Sequence, residues 1–259
     1  MGFTFSTILI SAGLFAGMLV CFEVGRRVGR ARLARDPEGL TVGSGPIEAA
    51  IFGLLGLLLA FTFSGAASRF ETRRDLITQE VNAIGTAYRR LDVLPEDLKP
   101  GLRQLFRRYV DVRATVYRDQ ADKPLTAKRL AEGAELQNQI WVGAMRAFNR
   151  PETPVQAEVL LLAALNEMFD MATTRVGATM NHPPAVIYYL LAALSLVSAL
   201  LVGYVMCGTE LRSWFYMLLL TVTLSITFYV ILDLEYPRSG TIRVDAADQL
   251  LQDLGRSLR

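Results

Sequence analysis

The side chains most often used in catalysis or metal binding are few in this sequence. Its 259 residues include one histidine, His182, and two cysteines, Cys21 and Cys207. His182 precedes two prolines, a position that suits a helix cap or a membrane interface, and a metal site would need further ligands. The cysteines lie in apolar surroundings typical of core residues, and although a bridge between them is conceivable, nothing requires one. With no glycine-rich phosphate loop and no Gly-x-Ser-x-Gly motif, we predict neither catalysis nor a cofactor.

A second group of polar residues lies on the helices that we predict for the middle of the chain. Its members are Glu80, Asn82, Tyr88, Arg89, Tyr109, Arg113 and Asn166. Such side chains either join helices through buried hydrogen bonds, the interpretation that we favour, or line an ion vestibule. Three arginines just before them, Arg69, Arg73 and Arg74, complete the set of candidates for a polar network.

Small side chains recur at three- and four-residue steps along one face of the second apolar segment. They are Ala49, Gly53, Gly56, Ala60, Ser64 and Ala67 or Ser68, and we call them the small-residue ridge. Ridges of this kind let helices approach closely in lipid. Two interpretations stay open: ordinary helix packing, or a helix that surrounds the axis of an oligomer, with Phe61 and Phe63 near a constriction.

Charge shows where the membrane-spanning parts lie. Hydrophobic residues make up 52% of the chain and the mean hydropathy is +0.31, which is high for a soluble protein. Charged residues are absent from windows of about 20 residues, each able to cross roughly 30 Å of hydrocarbon. We therefore predict an all-α membrane protein with transmembrane helices at 1–23, 48–68, 185–207 and 213–234. No Lys or Arg precedes the first apolar run, so we interpret it as a retained anchor.

The second of these helices is predicted to be unusually long. No proline occurs between Pro46 and Pro95, which allows one helix of about 48 residues and about 70 Å. That length is more than twice the hydrocarbon thickness, so the helix should continue into water. A bend at Gly65 or Gly85 is conceivable, because glycine weakens a helix.

The middle of the chain, 69–182, is predicted to be a water-exposed helical bundle. Its further helices should cover about 100–120, 126–149 and 153–181, with Thr126 and Thr153 as caps. The segment 24–47 is predicted to be a basic loop and 235–259 a tail with a short amphipathic helix.

Four spans place both termini and the helical bundle on one face of the membrane. The arginines near the span ends are equally divided between the two faces, so the positive-inside rule does not choose the orientation. The net charge is only +2, and the basic residues alternate with acidic ones, so we predict no nucleic-acid partner.

Several segments carry a resemblance to a known family. The run Leu55-Gly56-Leu57-Leu58-Leu59-Ala60-Phe61, followed by Arg69-Phe70-Glu71-Thr72-Arg73, resembles the pattern of bacterial bestrophins. Through residues 69–74, 80–88 and 233–240 the whole chain is similar to a bestrophin-like family of membrane proteins of unknown function.

Bestrophins are pentameric anion or cation channels with four spans per subunit, a pore lined by the second span and a cytosolic helical region. The resemblance implies a homo-oligomer, as a pentamer, in the lipid bilayer of a bacterial inner membrane, with small ions as partners and a cytoplasmic helical domain. No individual neck residue is carried over from bestrophins, and the candidates for pore lining or helix packing remain those of the ridge and its neighbours: Gly53, Gly56, Ala60, Phe61, Phe63 and Ser64. The acidic calcium site of animal bestrophins has no clear counterpart in Asp233 and Glu235. The alternative function is a non-conducting membrane scaffold or sensor whose helical domain binds a protein.

Overall fold

The computed structural model describes residues 2–35, 44–116, 122–208, 211–237 and 240–259. Within these ranges the chain is helical, without strands. The helices are α1 (Gly2–Leu33), α2 (Ser44–Arg89), α3 (Lys99–Val116), α4 (Lys123–Phe148), α5 (Val155–Met180), α6 (Ala185–Val205), α7 (Leu211–Glu235) and α8 (Asp245–Ser257), with a short 3₁₀ helix at Arg90–Val93.

The chain divides into two compact units. The membrane unit comprises Met1–Phe70 and His182–Ile242, and the helical unit comprises Glu71–Asn181 and Arg243–Arg259. Helix α2 contributes residues to both units. In the described part of the chain, four stretches are long and apolar enough to cross a membrane: Phe5–Leu33, Gly45–Val93, Val155–Val205 and Trp214–Glu235.

The membrane unit is built on a very close approach of α1 and α6. A Cβ atom added at Gly25 would strike the backbone of Leu200, and one added at Gly203 would strike the backbone of Phe22. A Cβ atom added at Gly29 would likewise strike the backbone of Tyr204. The two helix backbones therefore touch, and any larger side chain would push them apart.

Helix α1 continues to Leu33, so the first part of the segment predicted as a basic loop is helical. Its charges are compensated locally, because Glu23 accepts hydrogen bonds from Arg26 and Arg27, both at 2.9 Å. Arg30 donates through Nε to the carbonyl oxygen of Cys207 at 3.2 Å. Neighbouring glycines pack on α6 at the same level, so both charge pairing and packing favour helix here. Where the membrane span ends inside α1 stays a prediction.

Helix α2 is one uninterrupted helix of 46 residues, as its lack of internal proline predicts. Neither Gly65 nor Gly85 ends it. At 1.5 Å per residue it is about 70 Å long, which exceeds the thickness of the hydrocarbon core.

Both predicted threonine caps in the helical unit are wrong. Helix α4 begins at Lys123, where the carboxylate of Asp122 accepts a hydrogen bond from the backbone N–H of Leu125 at 3.0 Å and proline occupies the first turn. This acid and proline begin the helix before Thr126 is reached. Thr153 instead donates its hydroxyl to the carbonyl oxygen of Ala147 at 2.6 Å, at the end of α4.

The core of the helical unit joins all its helices. The largest side chains buried in it are Ile84, Leu91, Phe106, Tyr109, Leu136, Ile140, Leu161, Leu165 and Met168. Leu251 of α8 and Leu258, which follows it, belong to the same cluster, so the terminal amphipathic helix is packed on this unit.

Candidate functional site

A buried charge cluster lies inside the helical unit. The carboxylate of Glu80, which is 0% exposed, accepts hydrogen bonds from Arg113 and Arg175. Arg175 also donates to Asp248 of α8 at 3.0 Å. Two cations thus face two carboxylates, and the cluster ties α2, α3, α5 and α8 together. Because an unpaired charge in such a place is strongly destabilising, the cluster fixes the arrangement of these four helices.

Two members of this cluster are predicted from the sequence, and the other two are not. Glu80 and Arg113 were among the candidates for a buried network. Arg175 was not, although it occupies a buried position of α5, one turn after the buried Ala172 and two turns after the buried Met168. A charge on the apolar face of a helix is the signal that could have found it. Asp248 has no such signal, because a carboxylate on a short amphipathic helix is ordinarily part of the solvated face.

The two candidate tyrosines take part in packing and hydrogen bonding. Tyr109 is fully buried and accepts a hydrogen bond from Gln137 Nε2 at 3.0 Å. The hydroxyl of Tyr88 donates to the carbonyl oxygen of Leu258 at 3.3 Å. Both therefore stabilise the helical unit.

Three other candidates lie on the surface of the chain. Asn82, Arg89 and Asn166 are exposed, so they do not belong to the buried cluster. Exposure in one chain leaves open the second interpretation of these residues, in which they line a vestibule. That role stays a prediction.

The three candidate arginines have different surroundings. Arg69 forms an ion pair with Glu235 at 2.7 Å in the membrane unit. Arg73 is buried in the helical unit and donates to the carbonyl oxygens of Ala178 at 3.2 Å and Asn181 at 3.0 Å, where α5 ends. Arg73 thereby satisfies carbonyl groups that a helix end leaves unpaired. Arg74 is exposed and pairs with Glu71 at 2.9 Å on the same helix.

His182 belongs to the same group as Arg69. Its Nδ1 atom lies 2.9 Å from Glu235, and its ring stacks on Tyr236 with centroids 4.6 Å apart. Glu235 is 0% exposed, and both Arg69 and His182 make polar contacts with this buried carboxylate. His182 thus contacts the end of α7 and the residue that follows it, while its position at a membrane interface stays a prediction.

Asp233 organises the chain just after α7. It is 1% exposed and accepts hydrogen bonds from the backbone N–H groups of Thr241 at 2.9 Å and Ile242 at 2.8 Å. The Thr241 hydroxyl also donates to it. A side chain at Gly240 would collide with this carboxylate. Across the described residues, no group of three or more His, Cys, Asp or Glu side chains is placed to hold a metal ion.

The small-residue ridge is open in this chain. Gly53, Gly56, Ala60 and Ser64 are all exposed, and a Cβ added at Gly53 or Gly56 would meet no atom within 4 Å. Of the 18 most apolar consecutive residues of this span, only 11% are buried, whereas 39% are buried in the corresponding part of the fourth span. The ridge therefore packs against no helix of its own chain in the described ranges, unlike the glycines between α1 and α6.

The two candidate phenylalanines do not lie on the centre of the open face. Taking about 100° per residue, Gly53 and Ala60 lie within about 40° of the direction in which Ser64 projects, and this direction is the centre of the open face. Phe61 lies about 60° and Phe63 about 100° away from that direction. Both rings are exposed, at 67% and 43%. A constriction at these rings stays a prediction.

Four apolar helices and a helical unit held by buried charges define an all-helical integral membrane protein. A comparison with families gives the Bestrophin-like domain over residues 12–248, which is most of the sequence. The chain belongs to the Bestrophin-like family.

Solved structures agree on the fold. Two single-residue variants of a bacterial bestrophin homologue from Klebsiella pneumoniae are each 15% identical to this chain and superpose with a TM-score of 0.72. They match 95% and 100% of this chain and 97% of their own. A variant of another structure, described only as a membrane protein, is 14% identical, matches 92% of this chain and 97% of its own, and has a TM-score of 0.63. No curated protein gives a match.

Proposed function

We propose that the protein is a homo-oligomeric ion channel whose pore is lined by helix α2. The observation that carries the proposal is the open ridge on this helix, which no other described part of the chain covers. Copies assembled around one axis would bring these faces together without the steric conflict that larger side chains would cause. Membership of the Bestrophin-like family supports the same arrangement.

The composition of the open face suits a pore. In the membrane unit it carries the small or hydroxyl side chains of Ala60, Ser64 and Ser68, all exposed. The same three- and four-residue steps along α2 lead to residues of the helical unit that are also exposed, namely Glu71, Asp75, Thr78, Asn82, Thr86 and Arg89. Hydroxyl and amide groups can replace part of an ion's hydration, and charged rings attract or repel ions near a mouth.

The family also guides the finer points of the proposal. The oligomer is a pentamer in a bacterial inner membrane, with its helical unit in the cytoplasm. Lipids and small ions are its partners. The residues offer no catalytic arrangement, so transport of ions without chemical change is the function that we assign.

The test is reconstitution of the purified full-length protein in liposomes. We expect ion flux together with particles of uniform stoichiometry that contain an axial channel. An empty-liposome sample and one containing Ser64→Leu protein are the controls. The leucine side chain should reduce flux by narrowing the pore, while assembly is checked separately by native mass.

A non-conducting scaffold or sensor is the alternative. Well-assembled protein that passes no ions, in particles without an axial channel, would contradict the channel proposal and favour a protein partner for the helical unit.

A further inference from the structure

A narrow groove runs along one side of α2 in the membrane unit. Its walls come from α2 and α6, and its volume is about 230 Å³. The side chains that form it are mostly apolar: Leu58, Phe61, Thr62, Ile187, Leu190 and Leu191. Phe61 is 67% and Leu190 48% exposed, so the groove is open along its length.

One end of the groove is positively charged. Arg69 lies there beside Gly65 and Pro183. Its Nε and Nη2 atoms donate to Glu235, whereas Nη1 lies 3.2 Å from where a Cβ on Gly65 would stand. A guanidinium has five N–H groups, and the bonds to Glu235 use those of Nε and Nη2. Among the described residues Nη1 makes no hydrogen bond, so its two N–H groups can donate toward the groove.

The rest of the groove offers no competing polar group. The Thr62 hydroxyl donates to the carbonyl oxygen of Leu58 at 2.7 Å within its own helix. A ligand of this groove must therefore be apolar over most of its length and anionic at the end near Arg69.

The length of the groove indicates that such a ligand comes from the lipid bilayer. Leu58 and Arg69 are separated by eleven residues of helix, or about 16 Å, which is close to half of the roughly 30 Å hydrocarbon core. The apolar walls belong to spans without charged residues. Arg69 is the first charged residue after the charge-free part of α2. The groove thus matches one leaflet, with its charged end at the boundary with water.

We propose that this groove binds an anionic phospholipid, with its phosphate on Arg69 and one acyl chain between Phe61 and Leu190. This inference does not depend on ion conduction. It concerns a surface that faces away from the centre of the open ridge.

Native mass spectrometry of the full-length protein tests the site. Detergent-purified protein is mixed with phosphatidylglycerol or with phosphatidylcholine of the same acyl chains, and the retained lipid is counted per subunit. We expect phosphatidylglycerol to be retained in preference to phosphatidylcholine. Leu190→Trp, which fills the groove, should weaken phosphatidylglycerol binding by about tenfold, because the acyl chain loses its buried methylene contacts. Val197→Trp, at an exposed position of α6 outside the groove, should bind as wild type.

Three results would overturn the proposal. Equal retention of the two lipids would show that Arg69 does not recognise an anionic headgroup. Unchanged phosphatidylglycerol binding in Leu190→Trp would show that the lipid binds outside the groove. Loss of the oligomer in Leu190→Trp, with wild-type assembly in Val197→Trp, would show that a second copy of the chain occupies the groove.

Discussion

Arg69 on α2 and Glu235 at the end of α7 form a 2.7 Å ion pair across 166 positions of sequence. The carboxylate is fully buried, while the guanidinium side chain is 24% exposed. This pair joins two membrane helices at the level where their charge-free windows end. It also leaves part of the guanidinium facing the groove.

Removing this cation should destabilise the protein more than removing an exposed one. Arg69→Gln removes the ion pair that Arg69 forms with the fully buried carboxylate of Glu235, and we expect a loss of about 3 kcal/mol. Arg74→Gln removes an exposed pair with Glu71 and should cost less than about 1 kcal/mol. Unfolding in detergent, followed by circular dichroism, measures both. Equal losses would mean that the buried pair contributes no special stability.

The contact between α1 and α6 should tolerate no added side chain. Gly203→Ala places a methyl group against the backbone of Phe22, and we expect a loss of about 1–3 kcal/mol from the forced separation of the helices. Gly13→Ala is the matched control, since nothing lies within 4 Å of its added Cβ. The same unfolding measurement applies, and stability equal to the control would contradict the close approach.

Larger side chains in the small-residue ridge should impair assembly of the oligomer without unfolding the single chain. Gly56→Leu and Ala60→Leu should reduce the fraction of oligomer, because a branched side chain prevents close contact between copies. Crosslinking and native mass detect this change, and circular dichroism should show intact helix content. Unchanged oligomers with unchanged thermal stability would mean that the ridge faces lipid.

Both termini and the helical unit should lie on one side of the membrane. Single cysteines at positions 100, 125 and 259, in a chain without Cys21 and Cys207, should label alike in intact cells. The even number of spans requires this result. Different accessibility among the three positions would contradict a four-span arrangement.

Much of the fold could be predicted because its signals are local. Charge-free windows mark the membrane helices, and the absence of proline between Pro46 and Pro95 predicts the length of α2. Caps were less predictable: Asp122 begins α4 before Thr126, since an acid followed closely by proline is the stronger start signal.

The contacts between distant segments were harder to predict. The spacing Gly25-x-x-x-Gly29 is a recognised helix-packing motif, but the arginines around it favoured a loop. Arg175 and Glu235 acquire their roles through distant partners, among them Glu80, 95 residues from Arg175, and Arg69, 166 residues from Glu235. No periodicity in one segment identifies which distant charge it will meet.

Cysteine accessibility at Ser64 tests the central claim most directly. In a chain without Cys21 and Cys207, currents through Ser64→Cys channels are recorded in planar bilayers before and after adding a charged, thiol-specific reagent. Leu219→Cys, an exposed position on α7, is the control. Our account predicts that the reagent blocks most of the Ser64→Cys current and leaves the Leu219→Cys current unchanged. Currents that the reagent leaves intact in Ser64→Cys, or the absence of any current from well-assembled protein, would contradict a pore lined by α2.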